Sequence, residues 1–229
     1  MKKAFPILGV LTAALLSYAL YMAVVWAPTE KTMGDVQRIF YYHVSSAWTA
    51  FLLFTINFVA SIVYLIRRSI KADIIALVSA EVGVVFCTVV LVTGPIWARP
   101  VWGIWWTWDM RLTLTLVLWL IYVAYLMLRR FSSSGQTPLL AAVLSVFGAL
   151  DVPLVYFSIW FFRTQHPQPV IGGGGSIDPR MMHVLLINWA AFMCFGALVF
   201  WSRYRVEVLK RQVEEAQAME ALSDAQGAS

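Results

Sequence analysis

Three histidines, His43, His166 and His183, are the side chains of this sequence best suited to hold a metal. Neutral imidazole is the commonest metal ligand and a good axial ligand for haem iron. Alone, each would be an ordinary polar residue at a helix end. Their surroundings argue for more. Five of the chain's 11 tryptophans (Trp97, Trp102, Trp105, Trp106 and Trp108) fall in the run 94–111, which opens on Gly94-Pro95 and closes on Asp109-Met110-Arg111. An interfacial belt places about one or two tryptophans at a helix end, so this density asks for another reason. Indole is amphipathic and prefers the membrane–water boundary, where such a segment can offer an aromatic surface to a large planar ligand. Arg38, Arg99 and Arg111 lie near these groups in sequence and topology, and guanidinium pairs well with carboxylates such as haem propionates. His43 and His166, on different segments that flank the tryptophans, form the candidate ligand pair. His183 has no such support and reads as an interfacial residue.

The elements that must position these groups are membrane helices. The 229 residues are 61% hydrophobic and 13% charged, about half the charge of a soluble domain, and the shortfall runs along the whole chain. Apolar runs fall at 5–26, 39–66, 74–93, 112–128, 139–160 and 182–201. Each is long enough to cross a bilayer, and the first is too long for the core of a cleaved signal peptide. The expected fold is an all-α membrane protein with six transmembrane helices. A membrane domain over 1–201 includes the tryptophan-rich segment 94–111, between helices three and four, and a polar loop 161–182. A tail, 202–229, follows, helical around 206–214 and disordered from Ser223. Two glycines and two prolines, Gly94, Pro95, Pro100 and Gly103, are expected to break regular structure at the start of the tryptophan-rich segment.

Charge sets the orientation. Lys2, Lys3, Arg67, Arg68, Lys71, Arg129, Arg130, Arg203, Arg205, Lys210 and Arg211 fall on the side of the termini. Lys31, Arg38, Arg99, Arg111, Arg163 and Arg180 fall on the other. By the positive-inside bias both termini are cytoplasmic, and the tryptophans and all three histidines lie on the outer, periplasmic face. The same bias accounts for the net charge of +5 without nucleic acid as a partner. Cys87 and Cys194 sit in apolar runs, at no redox or metal-site spacing, and read as small buried hydrophobes. Glu81 and Asp151 are ionisable residues inside spans, expected to be hydrogen-bonded within the bundle. No spacing suggests a nucleophile–base pair or a zinc site. With no phosphate-binding loop, the chain would not drive ATP-dependent transport by itself.

The stretch Trp102-Gly103-Ile104-Trp105-Trp106-Thr107-Trp108-Asp109 matches the Trp-Gly-x-x-Trp-x-Trp-Asp signature of haem-handling proteins of cytochrome c biogenesis. With the six-span length, the Arg38-Ile-x-Tyr-x-His43-Val stretch and Ser176-Ile-Asp-Pro179, the chain resembles the CcmC family of haem exporter proteins from helix one to helix six. The tryptophan signature is shared with the larger CcmF and CcsA haem lyases, which carry more spans. The resemblance implies a multi-pass protein of the bacterial inner membrane that binds haem b on its periplasmic face. Its tryptophan-rich segment lies between two histidines, and it promotes covalent attachment of haem to the haem chaperone CcmE. It implies CcmA, CcmB and CcmD as complex partners, with membrane lipid around the helices. Carried over by position, His43 and His166 ligate the iron, while Trp97, Trp102, Trp105, Trp106, Trp108 and Asp109 shape the site. Arg38 and Arg111 match basic positions of the same motifs, and Arg99 joins them as a propionate partner. Ser45 stands where many members have proline, and the context of His166 is Thr-Gln-His-Pro, where members read closer to Leu-His-Gln.

The expected role is orientation of haem and exclusion of water more than acid–base chemistry, that of a haem-binding and transfer protein without its own ATPase. The alternatives are a haem lyase acting directly on apocytochrome, a b-type cytochrome that carries electrons, and a permease that moves haem across the bilayer. Length opposes the first, and histidines at helix ends rather than mid-membrane oppose the second.

Overall fold

The computed structural model describes residues 4–162, 164–169 and 176–227. Lys2, Lys3, Arg163 and the four glycines of 172–175 lie outside the described residues. Among the described residues there are helices and no strand. α1 (Ala4–Tyr21) continues through a π turn, Met22–Trp26. A 3-10 turn, Asp35–Arg38, leads into α2 (Ile39–Arg67), and α3 is Ile70–Trp102. α4 (Met110–Phe131), α5 (Thr137–Ala149), α6 (Asp151–Phe161) and α7 (Pro179–Gly227) complete the chain. Six helical stretches, with α5 and α6 sharing one, are long and apolar enough to cross a membrane. Large apolar side chains such as Ile7, Val10 and Leu11 point outward from the bundle. A soluble domain avoids apolar surface on that scale; a lipid-facing one requires it. The fold is therefore that of an all-α, multi-pass membrane protein.

Three elements differ from expectation. α3 does not stop at residue 93: it carries Gly94, Pro95 and Pro100 inside the helix and ends at Trp102. Proline withholds one N–H from the ladder, and membrane helices tolerate this because neighbouring groups satisfy the freed carbonyl. The true stop is Gly103, with φ +79°, whose N–H reaches back to the Arg99 carbonyl at 3.0 Å. This is a left-handed C-terminal cap that glycine accommodates without strain. Second, the fifth span is not one helix, since it breaks between Ala149 and Asp151. Pro153 has no N–H to give the Ala149 carbonyl, and the helix restarts beyond that gap. Third, the sixth span is the N-terminal part of a 49-residue helix, and the residues from 223, expected to be disordered, continue it to Gly227.

α2 packs along α3 and also meets α5 and α7. Phe54 of α2 stacks on Tyr122 of α4, ring centroids 3.9 Å apart and planes 11° from parallel. Gly83 of α3 makes that possible: a Cβ there would come within 2.7 Å of the Phe54 ring. Fully buried Asn57 donates to the Ala76 carbonyl at 2.7 Å and accepts from Ser145, so one amide links α2, α3 and α5. In lipid, such polar links and small-residue contacts do work that the hydrophobic effect does between helices in water.

The end of the bundle nearest the termini is held by charge. Arg129 of α4 grips Asp73 of α3 with both terminal nitrogens, at 2.6 and 2.9 Å. Arg211 of α7 joins the same carboxylate at 2.7 Å and also bonds Glu207. Arg203 links Glu207 to Glu81 of α3, so the intramembrane Glu81 is paired, as expected. Three arginines thus balance three acids. The Asp73 side chain is only 3% exposed, which places its pairs among those whose disruption strands a buried charge. Asp73→Asn is expected to cost about 3–5 kcal/mol, read as a lower thermal midpoint of the detergent-solubilised protein. Lys210→Ala, which removes only the exposed Lys210–Glu214 pair, should change stability by less than about 1 kcal/mol.

Candidate functional site

His43 and His166 come together. Their ring centroids lie 6.5 Å apart with planes 35° from parallel, although the residues are far apart in sequence and on different elements. His43 sits in the second turn of α2. Its Nδ1 lies 2.9 Å from the Thr93 hydroxyl of α3, and the backbone of Gly94 runs beside the ring. Arg38 fixes the entry of α2. Its Nη1 donates to the Ala23 and Ala27 carbonyls at 2.7 and 3.3 Å, its Nη2 to Thr29, and its Nε to Asp35. The two terminal nitrogens thus clamp the end of the first span to the start of the second, and Nε ties Arg38 to its own 3-10 turn.

His166 is held by the loop that follows α6. Its backbone N–H donates to the Thr164 hydroxyl at 3.1 Å, and its Nδ1 lies 2.9 Å from the Pro167 carbonyl. The Thr164 hydroxyl donates to Asp109 Oδ2 at 3.0 Å. Asp109 Oδ2 also accepts from Thr107, while Oδ1 accepts from the Leu112 N–H at 3.0 Å and caps α4. Asp109, the last residue of the tryptophan signature, therefore ties the start of α4 to the His166 loop.

Arg111, the second residue of α4, brings its positive charge to both imidazoles. Its Nη1 is buried with no hydrogen-bond partner among the described residues. A buried guanidinium donor left open is costly unless a further group completes it. The packing around His166 pushes its pKa down to about 3, with the Arg111 charge and then His43 adding to the effect against the Pro167 hydrogen bond. His166 is thus a neutral imidazole at neutral pH, the form that binds metals.

The tryptophans do not make one flat surface. Trp97 and Trp102, in the last turns of α3, meet edge to face at 5.2 Å. Trp106 and Trp108 do so at 5.8 Å. Trp105 and Trp108 are exposed, and the Trp106 Nε1 is buried with no partner among the described residues. Arg99 turns its Nη1 to the Gly103 carbonyl. His183 stands elsewhere, against Trp26 at 6.1 Å. Asp151 is buried, and its Oδ2 has no partner among the described residues. Thr93 and Thr164 were not singled out in the sequence; only the position of Thr164, two residues before His166 and suited to a hydroxyl-to-backbone turn, hinted at a role.

Asp109→Asn keeps an oxygen for the α4 cap but replaces the acceptor of Thr164 with a donor. It and Thr164→Val should each raise the amide exchange rate of the His166 N–H by about tenfold, one hydrogen bond's worth, while exchange in α2 stays unchanged. A histidine NMR titration of the ligand-free protein should find His166 neutral down to about pH 4, because its pKa is near 3 and only lower pH can charge it.

The family model described as Heme exporter protein C matches residues 1–219. Heme exporter protein C of Bradyrhizobium diazoefficiens is 33% identical over 222 residues, 96% of this chain and 84% of the relative. Heme exporter protein C of Escherichia coli K12 is 30% identical over 205 residues, 89% of this chain and 83% of the relative. A mitochondrial protein of Marchantia polymorpha, described as ccmC-like and of cytochrome c biosynthesis, is 29% identical over 187 residues, 81% of this chain and 80% of the relative. The match along nearly the whole chain, together with the paired histidines beside the tryptophan signature, means that the chain belongs to the Heme exporter protein C family, CcmC.

Proposed function

We propose that this protein handles haem for cytochrome c maturation by binding haem b between His43 and His166. On this reading the site lies on the periplasmic face of the bacterial inner membrane, with both termini cytoplasmic. The observation that carries the proposal is the histidine pair. An iron held by both imidazoles through metal–nitrogen bonds of about 2 Å would need the ring centroids roughly 6 Å apart. The rings of His43 and His166 lie 6.5 Å apart. Among the described residues no group of three or more His, Cys, Asp or Glu side chains gathers to hold a metal ion. Two imidazoles leave a bare cation short of ligands, whereas a porphyrin iron brings its other four in the macrocycle. The donor set therefore fits haem.

The second support is charge. The open Nη1 of Arg111 beside the pair suits a propionate. Arg38 contributes by setting α2 beneath His43, and Arg99 by holding the turn at Gly103. On this reading Trp97, Trp102, Trp106 and Trp108, which meet in two edge-to-face pairs, would form the rim of the site and Trp105 would extend it outward, while Asp109 holds Thr164 of the His166 loop.

Haem supplies the vinyl group to be joined to the chaperone. The protein supplies two-point attachment, orientation and an apolar surround that limits water. CcmE is the proposed recipient, and CcmA, CcmB and CcmD are the proposed complex partners, with any ATP-driven step outside this chain.

Purified protein expressed with ample haem should show a Soret band that is lost in His43→Ala and in His166→Ala and kept in His183→Ala. Arg111→Met should retain the band but weaken haem binding by about tenfold or more, the worth of one charge-assisted hydrogen bond. Wild-type protein free of haem under those conditions would end this reading.

A further inference from the structure

We propose that Thr93 is the positioning residue that fixes the tautomer of His43, keeping the proton on Nδ1 and leaving Nε2 as the bare lone pair. The identity of the ligand at Nε2 rests on the haem reading above; the tautomer itself does not. A threonine hydroxyl has one proton to give. Thr93 Oγ1 lies 2.7 Å from the Val89 carbonyl and 3.4 Å from that of Val90, and a carbonyl can only accept. The hydroxyl proton is therefore committed to the backbone of α3, an arrangement threonine adopts within helices. Toward His43 Nδ1, 2.9 Å away, the same oxygen can only accept. Neutral imidazole carries one proton, so it sits on Nδ1, and Nε2 is free.

The geometry is set by the scaffold. Thr93 and its carbonyl partners belong to one helix, and the ring lies against the backbone there, since a Cβ on Gly94 would stand 3.5 Å from His43 Cε1. His166 reaches the same state by another route. Its Nδ1 faces the Pro167 carbonyl, another pure acceptor, so its Nε2 is also bare. Of the two acceptors that set the tautomers, only Thr93 is a side chain. Donation from Nδ1 also makes the imidazole a more basic ligand, and loss of such an outer partner typically costs about 10–100-fold in metal affinity.

The test begins with ligand-free protein, isotopically labelled at histidine and held in nanodiscs. Long-range proton–nitrogen correlation distinguishes the two tautomers. Wild-type His43 should give the Nδ1–H pattern. Thr93→Val, which keeps the shape and removes the acceptor, should move it to the Nε2–H pattern, and Thr93→Ser should restore it. Haem titration should follow, with affinity about tenfold or more lower in Thr93→Val and recovered in Thr93→Ser. An Nε2–H pattern in the wild type would overturn the proposal, a result that needs no variant to fold. So would a Thr93→Val protein that keeps the Nδ1–H pattern, whatever its haem affinity. Expected tautomers with no haem binding in the wild type would leave the role of Thr93 standing and bring down the haem reading alone.

Discussion

The carboxylate of Asp109 bonds in two directions at once, and the arrangement of the site follows from that. One oxygen closes the first turn of α4, which positions Arg111 two residues later; the other holds Thr164, and through it the loop bearing His166. Without this junction the bundle would still present His43 on a rigid helix, but the loop bearing the second imidazole would lose the hydrogen bond from Thr164 that ties it to the start of α4. An ionised carboxylate suits the task because it has acceptor capacity for several donors and no proton of its own to place. It stands at the end of a span rather than within one, where the cost of burying charge is smaller.

At the opposite end, charge sets the register that the site depends on. Asp73, Arg129 and Arg211 fasten α3, α4 and α7 together. Thr93 lies twenty residues along α3 from Asp73, about 30 Å at the usual helical rise. α4 spans a similar distance from Arg129 back to Arg111. A slide of α4 against α3 would separate the groups at both ends, and an interlocked charge cluster resists sliding better than apolar contact does. The long helix α7 enters the same cluster through Arg203, Glu207 and Arg211, so its extension beyond the span is part of the frame.

The spans were legible in the sequence because hydrocarbon leaves few choices: every apolar run of sufficient length became helical, the fifth with a break between α5 and α6. His43 and His166 were legible from topology as residues of the same end of the bundle, although only the fold brings their rings side by side. What misled was local. Pro95 and Pro100 signal a break in a soluble chain, yet α3 passes through them, because a packed membrane helix can lose single hydrogen bonds without ending. A structural part of Arg38 was not legible either: its Nη1 donates to the Ala23 and Ala27 carbonyls at the end of the first span, a need no pattern of residue types announces. Thr93 was invisible for the opposite reason. Threonine is common in apolar helices, and only the position of one oxygen between a carbonyl and an imidazole distinguishes this one.

The two imidazoles are mounted on supports of unequal strength, one on a helix packed on several sides and the other on a loop pinned by single hydroxyl bonds. For any ligand gripped by both rings, the second attachment acts at a high effective concentration, so the pair holds far better than either ring alone. That advantage lasts only while the loop stays docked. Undocking it breaks hydrogen bonds worth about 1 kcal/mol each and gives up the packing around His166, yet leaves the helix bundle in place. A tight grip of this kind can be opened from one side by a modest local event, while the helix-mounted ring keeps its place.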